Sequence, residues 1–499
     1  MLLHPTSLPG PFGVGDLGGE AYRFVDFLRE SGQCLWQILP LGRPLTAIRP
    51  TSASRPAPAT PCSSARNGWS RPACSTAPIS ILHNRSRPAP PSCHAPPGSK
   101  QALFEKVFAR FGSDHPWRAD FERFCTTHAW LDDYALFRAL KLAHRDEAWH
   151  RWEPELARRE PGALERARSS RAGTIAREKL WQYMFFRQWR DLRAHCEQRR
   201  VRIIGDMPIF VAYDSADVWA RRDLFKLDES GAPTVVAGVP PDCFSDTGQL
   251  WGNPLYDWER MRTDGFRWWI DRMRATLELV DIVRVDHFRG FAACWEVPAH
   301  APTAIPGRWV EVPGREMFFA LQGVLGELPI IAEDLGVITP DVEALRDDFG
   351  FPGMRILQFA FDGDATNPHL PHHHVRNAIV YTGTHDNDTT VGWYAGRPGP
   401  GSRIDPGFAE HRRDYCRRYL HCDGREINWD FIRCALASVA SVAIVPVQDL
   451  LGLDTEARMN TPAVRDGNWL WRLEPGQLTR SLGERLRALT DLYGRLDHG

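Results

Sequence analysis

A basic and an acidic side chain stand two residues apart near the end of an apolar run. The run is "LVDIVRVDHF", and it contains Arg284 and Asp286. On a β-strand these two side chains point to the same face, so the guanidinium lies beside the carboxylate. Such a neighbour keeps a carboxylate ionised, as a nucleophile requires. The pattern predicts an activated carboxylate at a strand end.

Further carboxylates end other apolar runs. Glu333 and Asp334 end "PIIAEDLG", and His385, Asp386 and Asp388 end or follow "AIVYTGTHD". Strand ends far apart in sequence converge at the carboxyl-terminal mouth of a barrel. Two carboxylates about 5 Å apart are the pair used for retaining cleavage of glycosidic bonds, one as nucleophile and one as acid/base. A third carboxylate can bind sugar hydroxyls.

Two other interpretations of these residues remain open. An Asp at a strand end often caps a helix or forms a turn. His385, Asp386 and the other acids could instead hold a metal ion, but the histidines lack paired ligand spacing.

The elements that would position these residues are short, continuous apolar runs typical of buried parallel strands. We predict eight, at residues 2–8, 34–41, 201–211, 279–288, 329–336, 354–361, 378–386 and 442–452. Amphipathic helical patterns lie between several of them. This order predicts an α/β fold, a (β/α)8 TIM barrel. An open doubly wound sheet is the alternative, but no Gly-rich phosphate turn follows any strand.

Two gaps between the predicted strands are too long for simple crossovers. We predict one catalytic barrel domain over 1–499, with helical insertions between strands 2 and 3 and after strand 3. The first insertion includes a helical subdomain at 99–200, and the second is a binding loop at 212–265.

Composition excludes several functional classes. The chain has 499 residues and a net charge of −1, so no strong field draws it to nucleic acid or anionic membranes. No apolar run approaches a membrane span, and the start lacks a secretory pattern. The eleven cysteines form no C-x-x-C pair, which indicates a reducing cytoplasm. The nineteen tryptophans suit core anchors or a groove for sugar rings.

Several stretches together resemble one enzyme family. They are "LLHPTSLPGPFGVGDLG", "LWQILPLG", "IIGDMPIFVAYDSADVW", "GVPPDCFSDTGQLWGNPLYDW", "VRVDHFRGF", "IAEDLG", "GMRILQFAF", "YTGTHDNDT" and "RMNTPAVRDGNWLWRL". In type and order they are similar to the amylomaltases, or disproportionating enzymes: the 4-α-glucanotransferases of glycoside hydrolase family 77, in the α-amylase clan.

The resemblance implies roles for matching residues. Asp286 would be the nucleophile, Glu333 the general acid/base, and Asp386 the carboxylate that binds donor-sugar hydroxyls. Arg284 and His385 would support the same subsite.

The stretch 238–254 resembles the family's glucan-binding loop. Asp242, Phe244, Trp251 and Asn253 match it as substrate-binding residues, whereas Cys243 stands where an aromatic residue is expected.

The resemblance also implies an activity in maltodextrin and glycogen metabolism. The enzyme would transfer α-1,4-glucan segments to the 4-hydroxyl of glucose or another glucan, without metal or cofactor. Its partners would be α-1,4-glucans, maltodextrins and glucose, and it would act as a monomer. An α-amylase-type hydrolase of the same clan is an alternative.

Residues 43–98 depart from the family pattern. No acidic residue occurs between Glu30 and Glu105, and Arg, Pro, Ala and Ser are in excess. With GC-rich codons, a shifted reading frame of 43–52 spells "PADGYPPYQ", similar to the family's missing loop. We interpret 43–98 as a frameshifted, irregular segment; a Pro/Ser-rich disordered insertion is the alternative. An impaired or inactive gene product is therefore a second functional hypothesis.

Overall fold

The computed structural model describes residues 1–10, 13–41, 99–241, 245–396, 406–462, 464 and 467–497. The predicted irregular segment at 43–98 lies outside the described residues. The strands in the described part are β1 (Leu35–Gln37), β2 (Arg202–Pro208), β3 (Val235–Val239), β4 (Gln249–Pro254), β5 (Ile282–Asp286), β6 (Ala293–Pro298), β7 (Arg308–Glu311), β8 (Ile330–Ala332), β9 (Gly353–Ile356), β10 (Ala378–Tyr381) and β11 (Val442–Ile444).

The helices surround these strands. They are α1 (Gly19–Glu30), α2 (Ser99–Arg110), α3 (Arg118–Thr127), α4 (Trp130–Ala143), α5 (Pro154–Ala157), α6 (Pro161–Ser170), α7 (Ala172–Gln198), α8 (Ala216–Ala220), α9 (Trp258–Thr263), α10 (Arg267–Leu277), α11 (Gly314–Leu325), α12 (Pro340–Asp348), α13 (Thr390–Ala395), α14 (Pro406–Leu420), α15 (Ile427–Ala437), α16 (Val447–Leu450) and α17 (Arg480–Leu492). None of the helices described combines the length and apolar character that a bilayer span needs.

Seven of the eight predicted strands form two parallel sheets. One has the order β1-β2-β5-β8 and the other β11-β10-β9. Their apolar residues are buried, as expected for parallel strands covered on both faces; they include Ile203, Ile204, Val283, Val285, Ile330 and Ile331. The prediction of an α/β fold with parallel strands is confirmed.

Backbone hydrogen bonds join the two sheets at both edges. The N–H of Ala332 in β8 donates to the carbonyl of Pro352, just before β9, at 3.0 Å. At the other edge Leu2 bridges β1 and the end of β11, forming parallel bridges with Gln37 and Pro446. The eight predicted segments thus follow one another in chain order, as the predicted (β/α)8 arrangement requires.

In the first segment the strand pairing is confined to the residues around Leu2. After Leu2 the chain turns into a short 3-10 helix at Pro5–Ser7. Proline fixes φ and has no N–H to donate to a neighbouring strand, so the strand cannot continue.

An antiparallel sheet, of order β4-β3-β6-β7, is a further part of the fold. Val236 of β3 pairs with Val297 of β6, and Val239 pairs with Gln249 of β4. Because β6 comes shortly after β5, the sheet attaches β3 and β4 beside the end of the Asp286 strand. The sequence patterns did not reveal this pairing.

Helices α2 to α7 occupy the region between β1 and β2. Helix α7 packs against α3 and α4, with Trp181 and Trp189 buried. The division into a barrel domain, a subdomain at 99–200 and a binding loop at 212–265 stays a prediction.

Candidate active site

A buried guanidinium joins two carboxylates at the ends of β2 and β5. The parallel register places Asp206 opposite Arg284 and Pro208 opposite Asp286. One Arg284 nitrogen, Nη1, donates to Asp206 Oδ1 at 2.5 Å, and Nη2 donates to Asp286 Oδ1 at 3.0 Å. The predicted neighbours Arg284 and Asp286 are thus in direct contact.

Burial and neighbouring charges shift the pKa values of Arg284 and Asp206. The Arg284 and Asp206 side chains are 4% and 5% exposed. Desolvation alone would lower the pKa of Arg284. The charges of Asp206, Asp286 and Glu333 nevertheless hold this pKa well above its ordinary value. Desolvation, with the charge of Asp286, raises the pKa of Asp206. Sequence reasoning gave Asp206 no role; its place at the end of a predicted strand, in "GDMP", was the available signal.

Glu333 follows β8 and lies beside the end of β5. Its Oε2 accepts a hydrogen bond from the backbone N–H of His287 at 2.6 Å, and its Oε1 accepts one from Leu335 at 3.1 Å. Desolvation, followed by the charge of Asp286, raises the pKa of Glu333 well above its ordinary value, against the smaller effects of Arg284 and the His287 N–H. Glu333 therefore holds its proton more tightly than an ordinary carboxyl group does.

His287 has a conformation that serves this contact. Its φ is +52°, in the left-handed region that non-glycine residues seldom adopt. The turn comes directly after Asp286 and aims the His287 N–H at Glu333. Backbone strain of this kind persists where the surroundings impose it, and functional sites are common examples.

Asp386 follows β10 and is held by residues near the carboxyl end of the chain. Asn460 Nδ2 donates to Asp386 Oδ1 at 2.5 Å, and Arg458 Nη2 donates to its backbone carbonyl at 2.6 Å. His385 Nε2 lies 3.4 Å from Asp386 Oδ2. The Asp386 side chain is 35% exposed. Asn460 and Arg458 belong to the "RMNTPAV" stretch, to which sequence reasoning gave no individual role.

Electrostatic contacts bring the three strand ends together. The charge of Asp286 acts on both Asp206 and Glu333, and His385 acts on Asp206. Asp286, Glu333 and His385 are therefore close enough to influence one another or Asp206 electrostatically, and Asp386 follows His385 in the chain.

Two other carboxylates at strand ends form hydrogen bonds to neighbouring parts of the fold. Asp334 accepts from the N–H of Met354 and from Arg346, each at 2.6 Å. Asp388 accepts from the Thr455 hydroxyl at 3.0 Å.

The predicted substrate-binding residues fall into two groups. Trp251 on β4 lies with its ring 4.7 Å from that of His287, nearly perpendicular to it. Asn253 is buried, and its Nδ2 donates to the carbonyl of Val211 at 2.9 Å. Asp242, Cys243 and Phe244 lie outside the described residues. The roles of Trp251 and Asn253 remain predictions.

The metal alternative finds no support in the part of the chain that the structure describes. No group of three or more His, Cys, Asp or Glu side chains is arranged there to hold an ion.

Removing the buried guanidinium is expected to destabilise the fold. Arg284→Met leaves Asp206 and Asp286 without their cation, and breaking a buried ion pair costs about 3–5 kcal/mol. Urea unfolding at neutral pH measures the free energy of unfolding. Arg274→Met is the control, because its pair with Asp271 is on the surface of α10.

Adding Asp206→Asn to Arg284→Met should recover part of the loss, since one unpaired carboxylate disappears. Equal destabilisation by Arg284→Met and Arg274→Met would contradict the assignment.

The chain is similar to known proteins over nearly its whole length. The sequence model of the family described as 4-alpha-glucanotransferase matches residues 3–479. The 4-alpha-glucanotransferase of Thermus thermophilus is 47% identical over 515 residues, covering 99% of this chain and 98% of that one. The Synechocystis 4-alpha-glucanotransferase is 46% identical over 516 residues, covering 99% and 97%.

A solved structure extends the similarity to the fold. The amylomaltase from Streptococcus agalactiae in complex with acarbose has a TM-score of 0.87 and 34% identity, covering 99% of both chains. The match runs over nearly the whole chain, so the hypothesis of an impaired product is not favoured. The chain belongs to the 4-α-glucanotransferase family, glycoside hydrolase family 77.

Proposed function

We propose that the enzyme transfers α-1,4-glucan segments to glucose or another glucan, with Asp286, Glu333 and Asp386 as its catalytic carboxylates. The observation that supports these roles is the difference in environment between two neighbouring carboxyl groups. Desolvation and the charge of Asp286 raise the pKa of Glu333, whereas Asp286 accepts a hydrogen bond from the Arg284 guanidinium on Oδ1. Two carboxyl groups in different environments can divide acid and nucleophile roles.

The first step cleaves the donor glucan. Glu333 gives its proton to the glycosidic oxygen while an Asp286 oxygen attacks the anomeric carbon. The bond between that carbon and the glycosidic oxygen breaks, and the reducing-end fragment leaves with the proton. Asp286 then carries the glycosyl group in a covalent bond.

The second step passes the glycosyl group to the acceptor. The 4-hydroxyl of a second sugar loses its proton to the Glu333 carboxylate and attacks the anomeric carbon. Asp286 leaves, and a new α-1,4 bond forms with the original configuration after two inversions. Asp386 would bind the hydroxyls of the donor sugar in both steps, and Arg284 and His385 would support the same subsite.

Incubation with maltotriose tests this function against the hydrolase alternative. Transfer gives a ladder of longer and shorter maltodextrins, which anion-exchange chromatography resolves. Hydrolysis gives glucose and maltose alone, and this product pattern would contradict the proposal. A reaction with Glu333→Gln is the control for contaminating activity.

Trp251 is proposed to stack on a sugar ring beside His287. Trp251→Ala should lower kcat/KM for maltotriose about threefold to tenfold, mainly through KM, because an aromatic contact contributes about 0.5–1.5 kcal/mol. The matched control is Trp309→Ala on β7, the opposite edge of the same sheet. An equal effect of both substitutions would contradict a direct sugar contact.

We also propose that the enzyme is a monomer and that it acts on maltodextrins in the cytoplasm. All seven cysteines that the structure describes are unpaired, which suits a reducing compartment. Light scattering at several protein concentrations tests the monomer, and a mass twice that of the chain would contradict it.

A further inference from the structure

A large cavity opens beside the segments that precede β1, β2 and β5, and none of the three catalytic carboxylates lines it. Its volume is about 1200 Å³, and among the described residues α3, α7 and the segments that precede β1, β2 and β5 line it. The catalytic residues follow the carboxyl ends of their strands, so this cavity is at the opposite end of the same sheet. We call it the α3–α7 groove.

Three arginines share one carboxylate at the α3 end of the groove. Arg123 Nη2 donates to Asp120 Oδ1 at 2.5 Å, and guanidinium nitrogens of Arg190 and Arg187 lie 3.7 and 3.9 Å from Asp120 Oδ2. The Tyr183 hydroxyl also donates to Oδ2, at 2.8 Å. Three guanidinium groups face one carboxylate, so this cluster has two positive charges in excess. Each guanidinium also carries five N–H donors, and together these outnumber the hydrogen bonds that Asp120 can accept.

The excess charge faces solvent. The side chains of Arg123 and Arg190 are 67% and 66% exposed, whereas Arg187 is held against the Trp117 ring with its guanidinium carbon 4.0 Å from the ring centre. Arg123 and Arg190 can therefore reorient toward a ligand while Arg187 marks a fixed position.

Carboxylates elsewhere in the groove have other partners or lie at its far end. Asp281 accepts from Arg193 at 2.5 Å and from the N–H of Ile203 at 2.7 Å, and Glu278 lies 3.1 Å from His128. Glu197 and Asp497 also line the groove. The uncompensated positive charge is thus concentrated beside Asp120.

An aromatic wall stands next to this cluster. The rings of Phe124 and Phe186 are 5.3 Å apart, and His128 lies 4.1 Å from Phe124 and 5.5 Å from Phe186. All three side chains are partly exposed and line the cavity. They offer an apolar surface for a flat or ring-shaped group.

We propose that the α3–α7 groove binds a phosphorylated small molecule. Its phosphoryl group lies among Arg123, Arg187 and Arg190, and its ring lies against Phe124 and Phe186. Guanidinium groups bind phosphate oxygens in pairs of parallel hydrogen bonds, and a phosphomonoester carries close to the two negative charges that the cluster lacks. A neutral glucan would leave these charges unmatched. Sugar phosphates and nucleotides share this chemistry.

Calorimetry on the full-length enzyme tests the proposal, with inorganic phosphate, glucose 1-phosphate and adenosine 5′-monophosphate as probes at constant ionic strength. We expect at least one of the two ring-bearing probes to bind more tightly than inorganic phosphate. Arg123→Ala and Arg190→Ala should each weaken this binding at least tenfold. Arg118→Ala on the same helix should leave it unchanged, because Arg118 pairs with Glu122 outside the groove.

The outcome separates this site from the glucan site. Transfer between maltotriose molecules should remain near the wild-type rate in the Arg123 and Arg190 variants, and maltotriose should not displace the phosphorylated probe. Stronger binding of glucose 1-phosphate would identify a sugar phosphate, and stronger binding of adenosine 5′-monophosphate a nucleotide. No binding, binding that survives both arginine substitutions, or displacement by maltotriose would each overturn the proposal.

Discussion

Replacing Asp286 by asparagine is expected to lower the rate of glucan transfer by roughly four orders of magnitude or more. An amide lacks the negative oxygen that attacks the anomeric carbon, so the covalent intermediate cannot form. The amide oxygen can still accept the hydrogen bond from Arg284, which keeps the geometry of the buried triad. The release of glucose from maltotriose measures the rate.

The matched control is Asp271→Asn on the surface of α10, where the carboxylate pairs with Arg274. We expect it to retain the wild-type rate, and circular dichroism should show both variants folded. An Asp286→Asn enzyme within tenfold of the wild type would place the nucleophile elsewhere.

Replacing Glu333 by glutamine is expected to slow transfer from natural glucans by roughly 10²- to 10⁴-fold, the usual contribution of a general acid/base. A maltosyl fluoride donor should escape the loss in the first step, because fluoride leaves without a proton. The second step still lacks its base, so the glycosyl-enzyme should accumulate. Mass spectrometry should find the added maltosyl group on the peptide that contains Asp286.

The control for this substitution is Glu327→Gln, an exposed carboxylate just before β8, and it should leave both donors unaffected. An equal loss in the rate of the first step with the two donors, measured as the initial release of glucose from maltotriose and of fluoride from maltosyl fluoride, would contradict the acid role of Glu333. A maltosyl group on another side chain would contradict the nucleophile.

The raised pKa of Glu333 also determines the direction of two pH effects. The first step needs the protonated carboxyl, so the rate should fall as pH rises through the raised pKa. Stability follows the same direction, because the folded state holds this proton more tightly than the unfolded chain. The contribution of Glu333 is fully present below the ordinary carboxyl pKa and is lost as pH rises through the folded value. In the Glu333→Gln variant, the free energy of unfolding should no longer fall with pH for this reason. Urea unfolding across the same pH range measures the difference between the variant and the wild type.

The strands were predictable because their signal is local. A parallel strand covered on both faces needs a continuous apolar run, and the runs that become β2, β5 and β8 are visible without a partner. The strand predicted over residues 2–8 is too long, because a 3-10 helix begins at Pro5, shortly after Leu2. Helix starts have a similar local signal: Ser215, Asp257, Thr389 and Thr479 each accept an N–H from the first turn that follows.

The pairing of distant residues was not predictable in this way. Asp206 and Arg284 are opposite each other only because β2 and β5 pair in one register, and Asn460 reaches Asp386 from another part of the chain. The antiparallel sheet likewise depends on β3 meeting β6, which no period in either segment specifies. These contacts depend on where the barrel brings its strand ends.

By itself, the sequence determined the parallel strands, the carboxylates at their ends and the family, because burial periods and motifs are properties of neighbouring residues. The tertiary structure decided how similar carboxylates differ. Asp334 and Asp388 bind structural partners, whereas Asp286 meets Arg284 and Glu333 is desolvated beside it. The proton affinity of a carboxyl group depends on the charges and solvent around it, and the fold brings those neighbours from several strands.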